Sequence, residues 1–190
     1  MATATVQELH GKYYVQNARA RIYTGSGAST GIAILLPATG GGHPTLWNPS
    51  DSGRYLSIVR LELARVTGNN APGAMEWAAV TNTGAAVGTG SPIATATLVA
   101  PTGILGATVD NKGRWSPTTN TFTAAPVFLR TAGITLATAV AASVHAPYVL
   151  RVDYDGDFVI GPGTAISLCY QTTTTTSTFQ VSVTWEEATV

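Results

Sequence analysis

Charge is scarce in this 190-residue chain, because Asp, Glu, Lys and Arg make up only 11% of it, whereas an average soluble domain has about 25%. The ten acidic and ten basic residues cancel, and lysine occurs only at Lys12 and Lys112. Without a run of basic residues the chain cannot neutralise many phosphates at once, so we expect no nucleic-acid partner. Much of its surface must be neutral, either rich in hydroxyl groups or covered by other subunits.

Other common features are also missing. Cys169 is the single cysteine, which excludes an internal disulfide, and its apolar neighbours favour an ordinary strand residue. No apolar run approaches the ~20 residues of a membrane span, and the first twenty residues lack the apolar core of a signal peptide. We therefore expect a soluble chain that is made in the cytoplasm and has no membrane partner.

The C-terminal region carries the clearest structural pattern. From Pro147 onward it predicts three strands of one sheet, YVLRVDY, TAISLCYQ and TFQVSVTWE, with the tract TTTTTS as a solvated connection between neighbouring strands. In the last strand Phe179, Val181, Val183 and Trp185 fall on one parity and polar residues on the other. This period of two is typical of a strand with one buried face.

Further strands are predicted along the whole chain. They cover residues 13–16, 18–24, 31–37, 54–66, 75–80, 93–99 and 122–130. A phase change after Leu56 and Ile58 predicts a β-bulge in the segment 54–66. Residues 134–146 favour helix by their alanines and strand by their alternation, and we expect an extended piece. Its small-residue face suits packing against a second copy or against its own domain.

These patterns predict an all-β fold. No convincing helix of more than two turns is visible, and turn signals recur about every dozen residues, which favours an antiparallel jelly-roll sandwich or barrel of about eight or more strands. Residues 1–20 are expected to form an extended N-terminal arm with a first strand, and residues 21–190 a single β domain.

Several residues are candidates for partner contacts. Arg19 and Arg21 alternate with apolar neighbours and would direct two guanidinium groups at an acidic surface, or simply form a solvated strand face. Trp47 and Trp115 fall in predicted loops, 37–53 and 110–120, where an indole either stacks on a sugar or caps the core. The tyrosines of the arm complete the set of candidates, which comprises Tyr13, Tyr14, Arg19, Arg21, Trp47 and Trp115.

Residues suited to catalysis or metal binding do not form recognisable motifs. His10, His43 and His145 are not at metal-ligand spacing, and GGGH lacks the nucleophile motif of a hydrolase. Adjacent Glu186 and Glu187 would point to opposite faces of a strand, so they cannot act as a facing carboxylate pair. We expect no enzymatic activity and no cofactor.

The acidic segment DYDGD is the remaining candidate for metal binding. Its carboxylates, Asp153, Asp155 and Asp157, lack the spacing of an EF-hand loop. The Asp155-Gly156 pair predicts instead a tight hairpin between the flanking strands, and weak surface binding of a cation stays open.

The segment DGDFVIGPGTAISLCYQTTTTTSTFQVSVTWEE resembles the C-terminal end of small jelly-roll proteins of tailed bacteriophages. The shared features are a strand, a P-G-T turn, a second strand and a terminal strand ending in W-E-E, over about the last quarter of the chain. The resemblance implies a tumour-necrosis-factor-like jelly-roll, a homotrimer, and a role as a decoration (cement) protein on the capsid exterior, bound to the major capsid protein.

Two other functions remain as alternatives. Trimeric fibre heads share the same motif, so the chain is alternatively a receptor- or glycan-binding head domain of a phage fibre or another trimeric surface module. That function requires Trp47 and Trp115 to be exposed. A hydrolase built on a sandwich is the third hypothesis, although no acid and base pair supports it.

Overall fold

The computed structural model describes residues 13, 16, 19–27, 29–68, 73–81, 99–101, 110–117, 119–122, 124–135, 149–171 and 177–189. Thirteen strands in these ranges form three antiparallel sheets, of six, five and two strands. The predicted all-β antiparallel fold is therefore confirmed.

The six-stranded sheet holds both the first and the last strand of the described chain. Its members are β1 (Ile22–Ser26), β4 (Arg54–Thr67), β6 (Val99–Pro101), β10 (Val149–Asp153), β11 (Val159–Ile160) and β13 (Thr178–Thr189). The order across the sheet is β10-β4-β13-β1-β6, and β11 pairs with β4 on the same side as β10.

The five-stranded sheet faces the first one across the core. Its members are β3 (Thr45–Asn48), β5 (Gly73–Thr81), β7 (Arg114–Ser116), β9 (Val127–Thr135) and β12 (Thr164–Tyr170). They lie in the order β7-β3-β12-β5-β9. A separate two-stranded ribbon consists of β2 (Gly40–Gly42) and β8 (Thr119–Thr121).

The chain changes sheet repeatedly, between β3 and β4, between β4 and β5, and between β12 and β13. This alternation between two sheets is compatible with the predicted jelly roll. The prediction that the three C-terminal strands belong to one sheet is wrong, because β12 lies in the five-stranded sheet and β13 in the six-stranded sheet. The TTTTTS tract therefore joins the two sheets, and β4 lies between β10 and β13.

The predicted alternation of β13 is confirmed: Phe179, Val181, Val183 and Trp185 are all fully buried. They pack against apolar residues of both sheets in one continuous core. The β-bulge predicted in β4 is confirmed too. Thr184 pairs with Arg60 and Trp185 with Ile58, so Val59 is the extra residue of the bulge. The alternating apolar residues before the bulge (Leu56, Ile58) and after it (Leu61, Leu63) are therefore all buried.

Four predicted strands differ in the structure. Of the segment 13–16, the two described residues, Tyr13 and Gln16, lie in a turn and in a helical conformation and not in a strand. Ala20 takes a left-handed φ of 51°, which ends any regular strand there, so β1 begins only at Ile22. The segment 31–37 makes one isolated bridge, between Ile32 and Phe179, and contributes Ile34 to the core without a ladder. The strand predicted at 122–130 starts after Pro126, because proline has no N–H to donate to a ladder.

Parts of other predictions lie outside the described residues. Of the strand predicted at 93–99 only residue 99 is described, at the start of β6. Of the segment 134–146, residues 134 and 135 are described and belong to the end of β9. Most of the arm and the residues His10, Tyr14 and His145 are also outside the described part of the chain.

Candidate functional site

The two tryptophans proposed as exposed contacts are both buried in the five-stranded sheet. Trp47 lies on β3 and is 1% exposed, and Trp115 lies on β7 and is 0% exposed. The Trp115 Nε1–H donates to the Ser26 carbonyl at 3.1 Å, which ties β7 to the end of β1. Neither indole is available for stacking on a saccharide from solution.

Both predicted loops thus contain strands, and several of their polar side chains bond to groups inside the protein. The hydroxyls of Thr45 and Ser167 lie 2.8 Å apart across β3 and β12. The Asn120 side chain donates to the His43 carbonyl at 2.7 Å, and the Asn48 side chain donates to the Ile160 carbonyl at 3.1 Å. Buried polar residues with such partners are indistinguishable by composition from loop residues.

The acidic segment 153–157 directs its three carboxylates to different partners. Asp153 accepts bonds from Arg60 Nε at 2.7 Å and from Arg151 Nε at 3.1 Å. Asp157 pairs with Arg130 Nη2 at 2.8 Å. Asp155 accepts a bond from the Tyr13 hydroxyl at 2.8 Å.

These partners separate the carboxylates, and no group of three or more His, Cys, Asp or Glu side chains in the described part of the chain lies close enough to hold a metal ion. The Tyr13 contact also shows that the arm touches this turn.

The turn at Asp155 and Gly156 is present, with both residues at positive φ, but it does not form the predicted hairpin. β10 and β11 pair with the same strand, β4, in the same direction. The turn is therefore an insertion in one edge strand, with Tyr154 and Phe158 at its base bonded to successive residues of β4. A D-G pair specifies a tight turn, but the pairing of the flanking strands decides whether that turn closes a hairpin or forms an insertion in one strand.

A buried thiol and imidazole meet next to the two-stranded ribbon, a juxtaposition that sequence reasoning missed. Cys169 Sγ lies 3.8 Å from His43 Nδ1, and both side chains are fully buried. Burial raises the pKa of the Cys169 thiol to about 12 and lowers the pKa of His43 below 6.5. The thiol therefore stays protonated at neutral pH and is a poor nucleophile. With 125 residues between them, no local motif links the two.

The adjacent glutamates of β13 do point to opposite faces, as predicted. Glu187 continues the buried parity and is 1% exposed, whereas Glu186 is half-buried on the outer face. The Glu187 carboxylate accepts bonds from the backbone N–H groups of Lys112 and Gly113 and from Trp185 Nε1–H, at 2.8 to 3.1 Å. It anchors the loop 110–113 to the sheet.

One edge of the sandwich is apolar and exposed. β9 ends the five-stranded sheet, β10 ends the six-stranded one, and Leu150 of β10 packs on the backbone of Gly133 in β9. We call the exposed apolar side chains of β9, β10 and β11 the apolar edge. They are Val127 (69% exposed), Phe128 (38%), Leu129 (56%), Ile134 (63%), Val149 (71%) and Val159 (50%).

The apolar edge is where sheet edges and large apolar side chains coincide. Exposed edge strands with apolar side chains are rare in monomers, because they pair readily with other chains. The charges nearby are already matched in the pairs Arg130–Asp157 and Arg151–Asp153. This surface is therefore suited to contact with another protein surface of low charge.

Comparison with known proteins gives no match: no family model, no curated protein and no solved structure is significantly similar to this chain. In the residues described by the structure there is no helix with the length and hydropathy needed to cross a membrane.

Proposed function

We propose that this chain is a structural virion protein, a capsid decoration (cement) protein that binds the outer surface of a phage head as a homotrimer. The observation that carries the proposal is the apolar edge, since side chains such as Val127 and Val149, exposed at about 70%, would be covered when copies associate. The C-terminal resemblance supplies the trimer, the major capsid protein as partner and the location on the capsid exterior.

The physical requirements of a decoration protein agree with the composition of the chain. Such a protein binds neighbouring capsid subunits and lowers the free energy of the closed shell. Each contact is modest, and the overall stabilisation comes from the many copies that bind at once. A rigid antiparallel sandwich with few charges and a matched set of surface ion pairs is suited to this role. The contacts that bridge capsid subunits are expected on the arm or on the loops at one end of the sandwich.

Self-association through the apolar edge is tested by sedimentation velocity. We expect the wild type to sediment as a trimer and the double variant Val127→Asp/Leu129→Asp as a monomer, because two carboxylates would be buried without partners. Leu35→Asp is the matched control, since Leu35 is 39% exposed but lies outside the edge strands. A wild-type monomer, or a double variant that still forms trimers, would contradict the use of this edge.

The location is tested on purified virions by electron microscopy and by quantifying the chain relative to the major capsid protein. A decoration protein is present in hundreds of copies, in a fixed ratio to the shell subunit, and forms protrusions on the outer surface. Only a few copies per particle, or density at the tail, would refute the proposed location. The glycan-binding alternative gains no support, because it needs exposed tryptophans and all four are at most 1% exposed.

A further inference from the structure

A cavity of about 310 Å³ opens beside the beginning of β1. We call it the arginine cavity, and its lining residues are Arg19, Ala20, Arg21, Tyr23, Arg54 and Asp110. It brings together the end of the arm, the first residue of β4 and the loop 110–113. This volume is near the lower end of the range for ligand-binding pockets, enough for a small organic or inorganic ion.

The backbone of the cavity wall is held in an uncommon conformation. Ala20 has a φ of 51°, in the left-handed region that residues other than glycine rarely adopt. The Arg21 N–H donates to the Gln16 carbonyl at 3.0 Å and closes this turn. Strand alternation predicted only that Arg19 and Arg21 lie on the same face of a strand. In the structure this turn places both residues on the wall of one cavity. Strained non-glycine residues of this kind cluster at binding sites.

Three arginines and one aspartate line the cavity, so positive charge exceeds negative charge among the lining residues. Asp110 is shared, at 3.5 Å from Arg54 Nη2 and 3.1 Å from Lys112 Nζ. Within the described part of the chain, Arg19 and Arg21 have no carboxylate at ion-pair distance, although Arg21 interacts electrostatically with Glu186 over a longer distance. Glu187 lies close by but is fully engaged by backbone amides and by Trp185.

We propose that the arginine cavity is a binding site for a small oxyanion with more than one negative charge, either phosphate or a polycarboxylate. Guanidinium groups match both kinds of ion, because their N–H donors form paired hydrogen bonds with two oxygens at once. The anion would be a negatively charged partner at ion-pair distance for Arg19 and Arg21, which have no such partner in the described part of the chain, and Arg54 would complete the site from β4. The site does not depend on the function proposed above.

Isothermal titration calorimetry with inorganic phosphate and, separately, with citrate tests the site and distinguishes the two kinds of anion. In a low-salt buffer free of other multivalent anions, we expect saturable binding of at least one of them with a dissociation constant near ~1 mM. The double variant Arg19→Gln/Arg21→Gln should weaken it about tenfold or more, since charged hydrogen bonds are lost. Added sodium chloride should weaken it as well.

The matched control is Arg151→Gln, which removes one positive charge from an exposed strand while Asp153 keeps its bond to Arg60. The control should bind like the wild type. Absence of saturable binding of both anions up to about 20 mM, or an equal loss in the control, would overturn the proposal. Far-ultraviolet circular dichroism and the unfolding midpoint establish that the double variant is folded, because Arg19 and Arg21 lie on a surface turn.

Discussion

Replacing Glu187 tests whether one buried carboxylate holds the loop 110–113 against the sandwich. The side chain is 1% exposed, and its two oxygens accept bonds from Lys112 N–H, from Gly113 N–H and from Trp185 Nε1–H. The first change to make is Glu187→Ala, which removes every acceptor. Glu187→Gln is the conservative change, because its amide oxygen can take the Oε1 position and keep the bonds to Gly113 and Trp185.

The two changes should differ in magnitude. In Glu187→Ala the Gly113 and Trp185 N–H groups stay buried without an acceptor, at about 1–3 kcal/mol each. Some of this loss is offset because no charge has to be desolvated, so we expect a total destabilisation of about 3 kcal/mol. In Glu187→Gln only the closest bond to Lys112 N–H is replaced by a contact between two donors, so we expect about 1–2 kcal/mol. The larger loss is a sizeable part of the 5–15 kcal/mol of a typical domain.

The measurement is equilibrium unfolding in urea, followed by tryptophan fluorescence, with Glu186→Gln as the control. Glu186 is the adjacent residue on the half-buried outer face, so its loss should change the free energy of unfolding by no more than about 0.5 kcal/mol. If Glu187→Ala were as stable as the control, the loop would be held by other contacts. The reasoning about the unpaired N–H groups would then be refuted.

Three further predictions concern buried positions. Because burial keeps the pKa of His43 below 6.5, the folded state binds a proton at His43 less readily than the unfolded chain does. The free energy of unfolding should therefore fall as the pH drops through 6.5, by at most ~1.4 kcal/mol per pH unit. Urea titrations at several pH values should show this dependence, and His43→Leu should abolish it. Gly25→Ala would set a Cβ 2.3 Å from Trp115 Cγ and should lower stability by about 2 kcal/mol, whereas Gly40→Ala, with nothing within 4 Å, should be neutral in the same unfolding assay. Cys169, with its pKa raised to about 12, should resist a thiol-specific disulfide reagent in the native protein and react fully in guanidinium; rapid native reaction would contradict its burial.

Local periodicity was enough to predict some of the strands that form the core, but not β3 and β7, whose segments were predicted as loops. The buried parity of β13 and the bulge in β4 both follow from side chains that alternate along a single strand. Such information is contained within a dozen residues. It therefore survives in the sequence even where the partner strand is far away.

The assignment of strands to sheets depends on distant partners and was not predictable in the same way. β12 and β13 are consecutive and both alternate, but β12 pairs with β3 and β5 while β13 pairs with β1 and β4. Composition also misled where polar side chains are bonded internally, as at Thr45 and Asn120. A threonine that donates to a buried partner and one that faces water look the same in a sequence.

Only part of the arginine cavity could be predicted from the sequence. The spacing of Arg19 and Arg21 suggested two guanidinium groups directed at an acidic partner, but the residues opposite them come from 33 and more positions further along the chain. The parity of β13 also contained an unused signal, because Glu187 shares the phase of Val183 and Trp185 and had to be buried. A buried carboxylate requires donors. Those donors are Trp185 Nε1–H and two backbone amides of the loop that carries Asp110. The burial of Glu187 was therefore predictable from the alternation alone, whereas the loop that it holds could be identified only from the fold.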